Sequence, residues 1–427
     1  MNPVEAAVYS LVKRNQKLKL RVRNAYQRIC DFVPTPVTKS PYEITVREGY
    51  WFGFHDKCPW SADGSMLAAA RLDVPLRMPL PDDTVQVGYF AGAKQTEFHP
   101  IATSRAWNYQ QGCMLQWIGN SRLLVFNDFD GRRNVARMYD ADAGPVRTLP
   151  VPVGAVSPNG QWAVSYSFER SDRYFRGYGY INGSDPEIDV PKPVTHGIDR
   201  VNITSGKTER LFSVREVADI SPDPSMEGAF HWLTHCQFSP SSERFLFLHR
   251  WTKNLNSLRT RMISCDLEGK SVHLFPTTGM VSHVAWRDAT RVLAYCQVRE
   301  GDRYVLFKDG SQEYSVVGAG NLDRDGHPSF SPDGRWILTD TYPDRFRVSS
   351  LMLFDCLRQE RYDLARLKTP PEFGERRLGE NLRCDLHPRW NRTGTSVCFD
   401  SVHTGRRSLC TIDLGDISGR VVPRSLR

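Results

Sequence analysis

One short unit returns along this chain, and its return restricts the fold more than any other feature. Its sharpest copy runs Asp325-Gly-His-Pro-Ser-Phe-Ser-Pro-Asp-Gly-Arg-Trp-Ile-Leu-Thr-Asp-Thr-Tyr342. The pattern is a short strand ending at Phe330, a turn over Ser331, Pro332, Asp333 and Gly334, and a second strand from Trp336 to Thr341. Pro332 fixes a turn φ, Asp333 can accept from nearby backbone, and Gly334 tolerates the positive φ of a tight hairpin. Weaker copies begin near Gly53, Gln111, Ala155, His235, His283 and His387, which with the sharpest one makes seven. Most are followed by a second hairpin signal, as at Ile198–Leu211, Met262–Leu274 and from Leu351 onward. Two hairpins per repeat make a four-stranded sheet, and such sheets bury their faces only against one another. The expected class is therefore all-β, a seven-bladed β-propeller, with copies spaced by about 40 to 80 residues to allow loop insertions.

The repeats occupy residues 42–427, preceded by a different kind of sequence. Residues 1–33 read as a basic amphipathic helix. Val4, Ala7, Val8, Leu11, Val12, Leu18, Leu20 and Val22 are interspersed with Lys13, Arg14, Lys17, Lys19, Arg21 and Arg23. Such a helix suits a membrane surface or a partner protein, or it can dock on its own domain as a lid. Residues 34–41, with Pro34, Pro36 and Pro41, read as a linker. The segment Tyr42–Arg47 is expected to supply the outer strand of the last blade and so close the ring.

Composition narrows the setting. The ten cysteines include no Cys-x-x-Cys pair and several lie in apolar runs, which points to buried free thiols rather than disulfides or a zinc site. No apolar run has the length of a membrane span and no signal-peptide core is present, so the expected location is cytoplasmic, peripheral to the inner face of the membrane where residues 1–33 attach to it. A net charge of +8 favours an anionic partner. Nucleic acid is not the expected one, because outside the first helix the basic residues are dispersed and no recognised nucleic-acid module is present.

The chemistry lies in the histidines. The first strand of each propeller blade lines the central channel, so equivalent positions on different blades converge there. Counting three places back from Phe238, Trp286, Phe330 and Trp390 gives His235, His283, His327 and His387. His55 stands five places before Trp60, expected two residues further out on the same strand face, a position held by Asp325 and Asp385 in the last two blades. Imidazoles and carboxylates gathered on one axis suit a divalent transition metal such as Mn2+, Fe2+ or Zn2+. The competing reading has each histidine capping a carbonyl at the channel mouth. Between the third and fourth blades, Arg170–Pro193 forms a long insertion rich in arginine and tyrosine, including Arg173, Arg176 and Tyr178, that suits a substrate-facing loop.

Over residues 230–415 the order Trp232-Leu-Thr-His235, Ser282-His283-x-x-Trp286, the Pro-Ser-Phe-Ser-Pro-Asp-Gly hairpin, His387-Pro-Arg-Trp and Phe399-Asp-Ser-Val-His-Thr-Gly405 resembles the oligogalacturonate lyases and the wider TolB-like propellers. The resemblance implies metal-assisted β-elimination on a uronate-containing oligo- or polysaccharide, with Mn2+ the expected ion. Carried over to this chain, it implies His283, His387 and Asp385 as metal ligands and His235 as the catalytic histidine. Asp385 stands where the family has histidine, and Leu382 where it has a ligating glutamine. The family's catalytic arginine has no clean counterpart; Arg200 and Arg173 are the nearest substitutes, and His55, His327, Arg176 and Tyr178 fall to substrate binding. The alternative is a non-catalytic propeller acting as a binding or scaffold module in polysaccharide metabolism at a membrane.

Overall fold

The computed structural model describes residues 11–12, 15–254, 257–374 and 379–417. Its strands form seven antiparallel sheets, each built mainly from consecutive strands, which is a seven-bladed propeller. Blade one comprises Tyr50–Trp51, Leu67–Arg71, Val85–Ala91 and Glu97–Ser104. Blade four has the longest inner strands, Phe230–Phe238 and Arg244–Thr252, while the innermost strands of blades six and seven shrink to Ser329–Phe330 and Arg389–Trp390.

The repeated turn explains why these segments fold as hairpins. The Ser331 hydroxyl accepts the Trp336 amide at 2.9 Å, and Asp333 accepts the Arg335 amide at 3.1 Å. The same lock recurs where Ser61 accepts from Met66 at 3.0 Å and Ser157 accepts from Trp162 at 3.0 Å. Gly334 has φ +68°, the left-handed conformation that the turn demands. The apolar residues of each hairpin then pack against the next blade. One buried cluster joins Leu246, Leu248 and Met262 of blade four to Val284, Trp286 and Val292 of blade five, and comparable clusters fill the other interfaces.

The ring closes as the sequence suggests. Thr45–Glu48 pairs with Ser408–Asp413 on the outer edge of blade seven, Thr45 opposite Thr411 and Glu48 opposite Ser408. Just upstream, Thr38–Lys39 adds a fifth strand to blade six. On the inner side, the buried Arg389 guanidinium bonds Asp400 at 2.8 Å and the Phe54 carbonyl at 2.9 Å. Asp400 in turn accepts the amides of Phe52 at 3.0 Å and Gly53 at 3.1 Å. This fixes the Phe52–His55 segment across the seam between the first and last blades. Gly53 is required there, since a Cβ would lie 2.6 Å from the Gln111 carbonyl carbon.

Within the described residues, helix α1 spans Gln16–Cys30, with Asn15 capping it by accepting the Leu18 amide at 3.1 Å. Val4, Ala7, Val8, Lys13 and Arg14 lie outside the described residues. All ten cysteines are free thiols. No described helix is long and apolar enough to cross a membrane.

Candidate functional site

Five histidine rings from different blades gather round Phe54, with centroid distances of 4.5 Å to His55, 5.0 Å to His235, 6.1 Å to His283, 6.3 Å to His327 and 5.0 Å to His387. All five histidines are buried. The backbone bends to aim them. The inner strand of blade four shifts register between Thr234 and Gln237, bulging at His235, and that of blade five shifts between Val281 and His283. His235 has φ +56° and His387 φ +44°, conformations that cost a β-carbon residue energy and that cluster at working sites. His55 is not on the strand face expected for it: the strand stops at Trp51, and His55 stands in a turn before the Trp60 bridge. The seam holds that turn in place, so the ring still reaches the axis.

The hydrogen bonds orient the imidazoles. His327 Nδ1 lies 2.8 Å and 3.0 Å from the Asp340 carboxylate, which also accepts the His327 amide. His55 Nδ1 donates to the Pro328 carbonyl at 2.8 Å. His283 Nδ1 lies 3.1 Å from Asp325, itself bonded by Ser282 at 2.7 Å. His235 Nδ1 meets the Thr234 hydroxyl at 2.9 Å. The Nε2 atoms of His55, His327 and His387 are buried with no hydrogen-bond partner among the described residues. A buried imidazole nitrogen with its opposite nitrogen tied to a carboxylate or carbonyl is the arrangement a metal ligand needs.

The tightest ligand group comprises His327, Asp385 and His387, whose ligand atoms all lie within 4.8 Å of one another. Two nitrogens and a carboxylate oxygen fit a divalent transition ion. His327, expected to touch substrate, joins His387 and Asp385 in this group; His283, expected to ligate, lies outside it, with its ring 4.0 Å from that of His327 and its Nδ1 held by Asp325.

Beside the histidines lies a cavity of about 210 Å³, lined by His235, His283, Phe175, Tyr178, Tyr342, Arg250 and Arg383 among others. Arg383 bonds Asp385 at 2.6 Å and the Tyr178 hydroxyl at 2.8 Å, and its guanidinium sits over Tyr342. Arg250 stacks on Phe175 and bonds Thr260 at 3.2 Å. Burial lowers Arg250 to about 10, so it stays cationic near neutrality. These two arginines, with Asp340, Tyr342 and Phe54, were missed in the sequence.

Of the predicted arginines, none faces this cavity. Arg200 lies on the third strand of blade three, paired with Glu209 at 2.8 Å and Glu268 at 3.2 Å. Arg173 is exposed and 3.7 Å from Asp189, and Arg176 is exposed too. The insertion folds instead around the buried Arg170, which pairs with Asp185 at 3.3 Å and bonds the carbonyls of His231 and Glu187. It begins with the short helix α2 (Phe168–Tyr174), and of its predicted site residues only Tyr178 reaches the cavity.

Burial, with mutual repulsion between rings, holds His55 and His387 well below the ordinary 6.5. Burial and then Arg250 do the same to His235, and burial also lowers His283. His327 moves the opposite way: burial opposes its charge, but the Asp340 carboxylate outweighs it. A group depressed on folding binds fewer protons folded than unfolded, so acidification through 6.5 favours unfolding. With four rings depressed and one raised, and with His231 lowered to about 4, metal-free protein should melt at a lower temperature at pH 5.5 than at pH 7.5. Thermal denaturation across that range checks it, and a flat profile would contradict the assignment.

Fold and site together define a seven-bladed propeller with an axial histidine and carboxylate cluster. No family model matches the sequence, and no curated protein does either. Among solved structures, an oligogalacturonate lyase in complex with manganese superposes with a TM-score of 0.59 at 15% identity, covering 88% of this chain and 94% of that one. An oligogalacturonate lyase from Vibrio parahaemolyticus superposes with a TM-score of 0.56 at 12% identity, covering 90% of this chain and 93% of that one. The likeness at this identity is one of fold.

Proposed function

We propose that this protein is a metal-dependent carbohydrate-active enzyme that carries out β-elimination on a uronate-containing oligo- or polysaccharide. The observation that carries the reading is the juxtaposition of unpartnered imidazole nitrogens with a cavity lined by two guanidinium groups, Arg250 buried and Arg383 partly buried. His327, His387 and Asp385 would hold the ion, Mn2+ being the expected one. When bound, a divalent ion supplies a Lewis acid for the carboxylate next to the proton to be removed.

The chain's own groups do the rest. Arg250 and Arg383 attract the uronate carboxylates and fix the ring orientation by paired N–H donors. Phe175, Tyr178 and Tyr342 give the sugar apolar faces to stack on. His235, neutral at pH 7 because burial and Arg250 disfavour its charge, takes the C5 proton on Nε2 while Thr234 holds Nδ1; the C–H electron pair becomes the C4–C5 double bond as the glycosidic C4–O bond breaks, and the departing oxygen takes a proton from water.

The test is a panel of acidic glycans followed by the ultraviolet absorbance of unsaturated uronates. His235→Ala should keep its metal and lose turnover by about 10²- to 10⁴-fold. Arg250→Met should raise KM more than it lowers kcat, since it removes ground-state carboxylate binding. If the wild type binds glycans yet forms no unsaturated product, the propeller is a binding module and the elimination reading is discarded.

A further inference from the structure

Helix α1 is docked the wrong way round for a simple lid. Its polar side faces the propeller: Gln27 is buried and donates to the Asp344 carbonyl at 2.9 Å, and Arg23 donates to the Gly374 carbonyl at 3.2 Å. The fully buried Arg347 of blade six bonds Asp31, at the end of the helix, at 3.0 Å and meets Gln27 at 3.4 Å. Among the described side chains of the helix, Cys30 is the one apolar group that is buried.

The opposite face is apolar and open. The helical period places Leu18, Ala25 and Ile29 in one stripe, continued by Phe32 in the turn beyond and flanked by Tyr26 and Val33. Ile29 is 66% exposed and Phe32 90%, and Leu18, Tyr26 and Val33 are also exposed. Along one flank of that stripe stand the exposed Lys17, Arg21 and Arg28, and Gln16–Cys30 contains no acidic residue. Apolar side chains edged by cations match an anionic bilayer, whose headgroups meet the cations while its acyl boundary receives the apolar stripe. A protein partner would need acidic residues ringing an apolar groove, and a second copy of this helix would bring like charges together.

We propose that helix α1 and the turn after it bind an anionic phospholipid surface, holding the propeller against it. The helix rests on the loop between the second and third strands of blade six, which also supplies Tyr342 to the cavity wall. The lipid-facing element and the candidate site thus share one loop, and the protein would act on glycan at a membrane surface.

The test uses the full chain and vesicles of phosphatidylcholine alone or with about one third phosphatidylglycerol. Co-sedimentation is expected only with the anionic vesicles and should weaken as salt rises, because surface charge is screened. Ile29→Ser with Phe32→Ser, and separately Lys17→Glu with Arg21→Glu, should each reduce partitioning by about tenfold or more while leaving the melting temperature unchanged. All four positions are exposed, so neither pair removes a buried contact. Equal binding to neutral vesicles, no binding at low salt, or self-association without lipid that is abolished by the Ile29→Ser, Phe32→Ser pair would each overturn the proposal. The readout does not involve glycan turnover, so it stands or falls apart from the catalytic reading.

Discussion

Replacing His387 with alanine should reduce bound Mn2+ from near one per chain to background, a loss of affinity of at least about 100-fold, and turnover should fall with it. The imidazole offers a buried, unpartnered Nε2 within ligand reach of His327 and Asp385. The milder Asp340→Asn should cost about 10- to 100-fold in affinity, because the amide cannot hold the His327 ring as the carboxylate does. Metal content of dialysed protein and a titration followed by calorimetry give both numbers. His99→Ala serves as control, since His99 is exposed on the outer strand of blade one. Equal metal content in His387→Ala and wild type would remove the metal centre from the account.

The largest loss of stability should come from the seam. Arg389→Met leaves Asp400 buried without its cation, and breaking such a pair from one side typically costs about 3–5 kcal/mol. Burying a hydrophobic pair instead often recovers the loss, but here the double substitution Arg389→Met, Asp400→Leu should not. Asp400 also accepts the Phe52 and Gly53 amides, and these would be left unbonded in the interior. Urea denaturation of the three variants separates the cases. A double mutant as stable as wild type would show that the seam is held by packing alone. Because the same contacts position Phe54 and His55, Arg389→Met should also weaken metal retention.

The fold was legible because propeller blades are local: a turn of a few residues and an alternating apolar pattern specify each hairpin without reference to the rest of the chain. The axial histidines were legible for the same reason, as a register count from the turn locates His235, His283, His327 and His387. Asp340 was also within reach. The Ser-Pro-Asp-Gly turn sets Phe330 opposite Ile337 and Ser329 opposite Leu338, which carries on to His327 opposite Asp340. The alternation Arg383-x-Asp385-x-His387 places three polar side chains on one face, yet only the last two were read. Arg250 was hidden for a different reason: it sits on a second strand, opposite Trp232, where apolar neighbours make a structural role the natural reading. Arg173 and Arg200 lie away from the cavity because long basic side chains, here on a short helix and on the third strand of a blade, pair with nearby carboxylates, and no local pattern marks that outcome. The insertion's buried centre, Arg170, depends on carbonyls from Glu187 and His231 brought together only by the finished fold.

The closing strand has a consequence in time. Residues 38–48 leave the ribosome before any blade exists, but Thr45 finds Thr411 and Thr38 finds Leu367 only after almost all of the chain has followed. At about 5–20 residues per second, that interval is on the order of 20–70 s, far longer than the time a hairpin takes to form. Blades one to five can therefore settle in order of synthesis while residues 38–48 wait as an unpaired edge. Blades six and seven each take an outer strand from residues made before any blade, so neither sheet is complete until the chain has been synthesised past its own last strand.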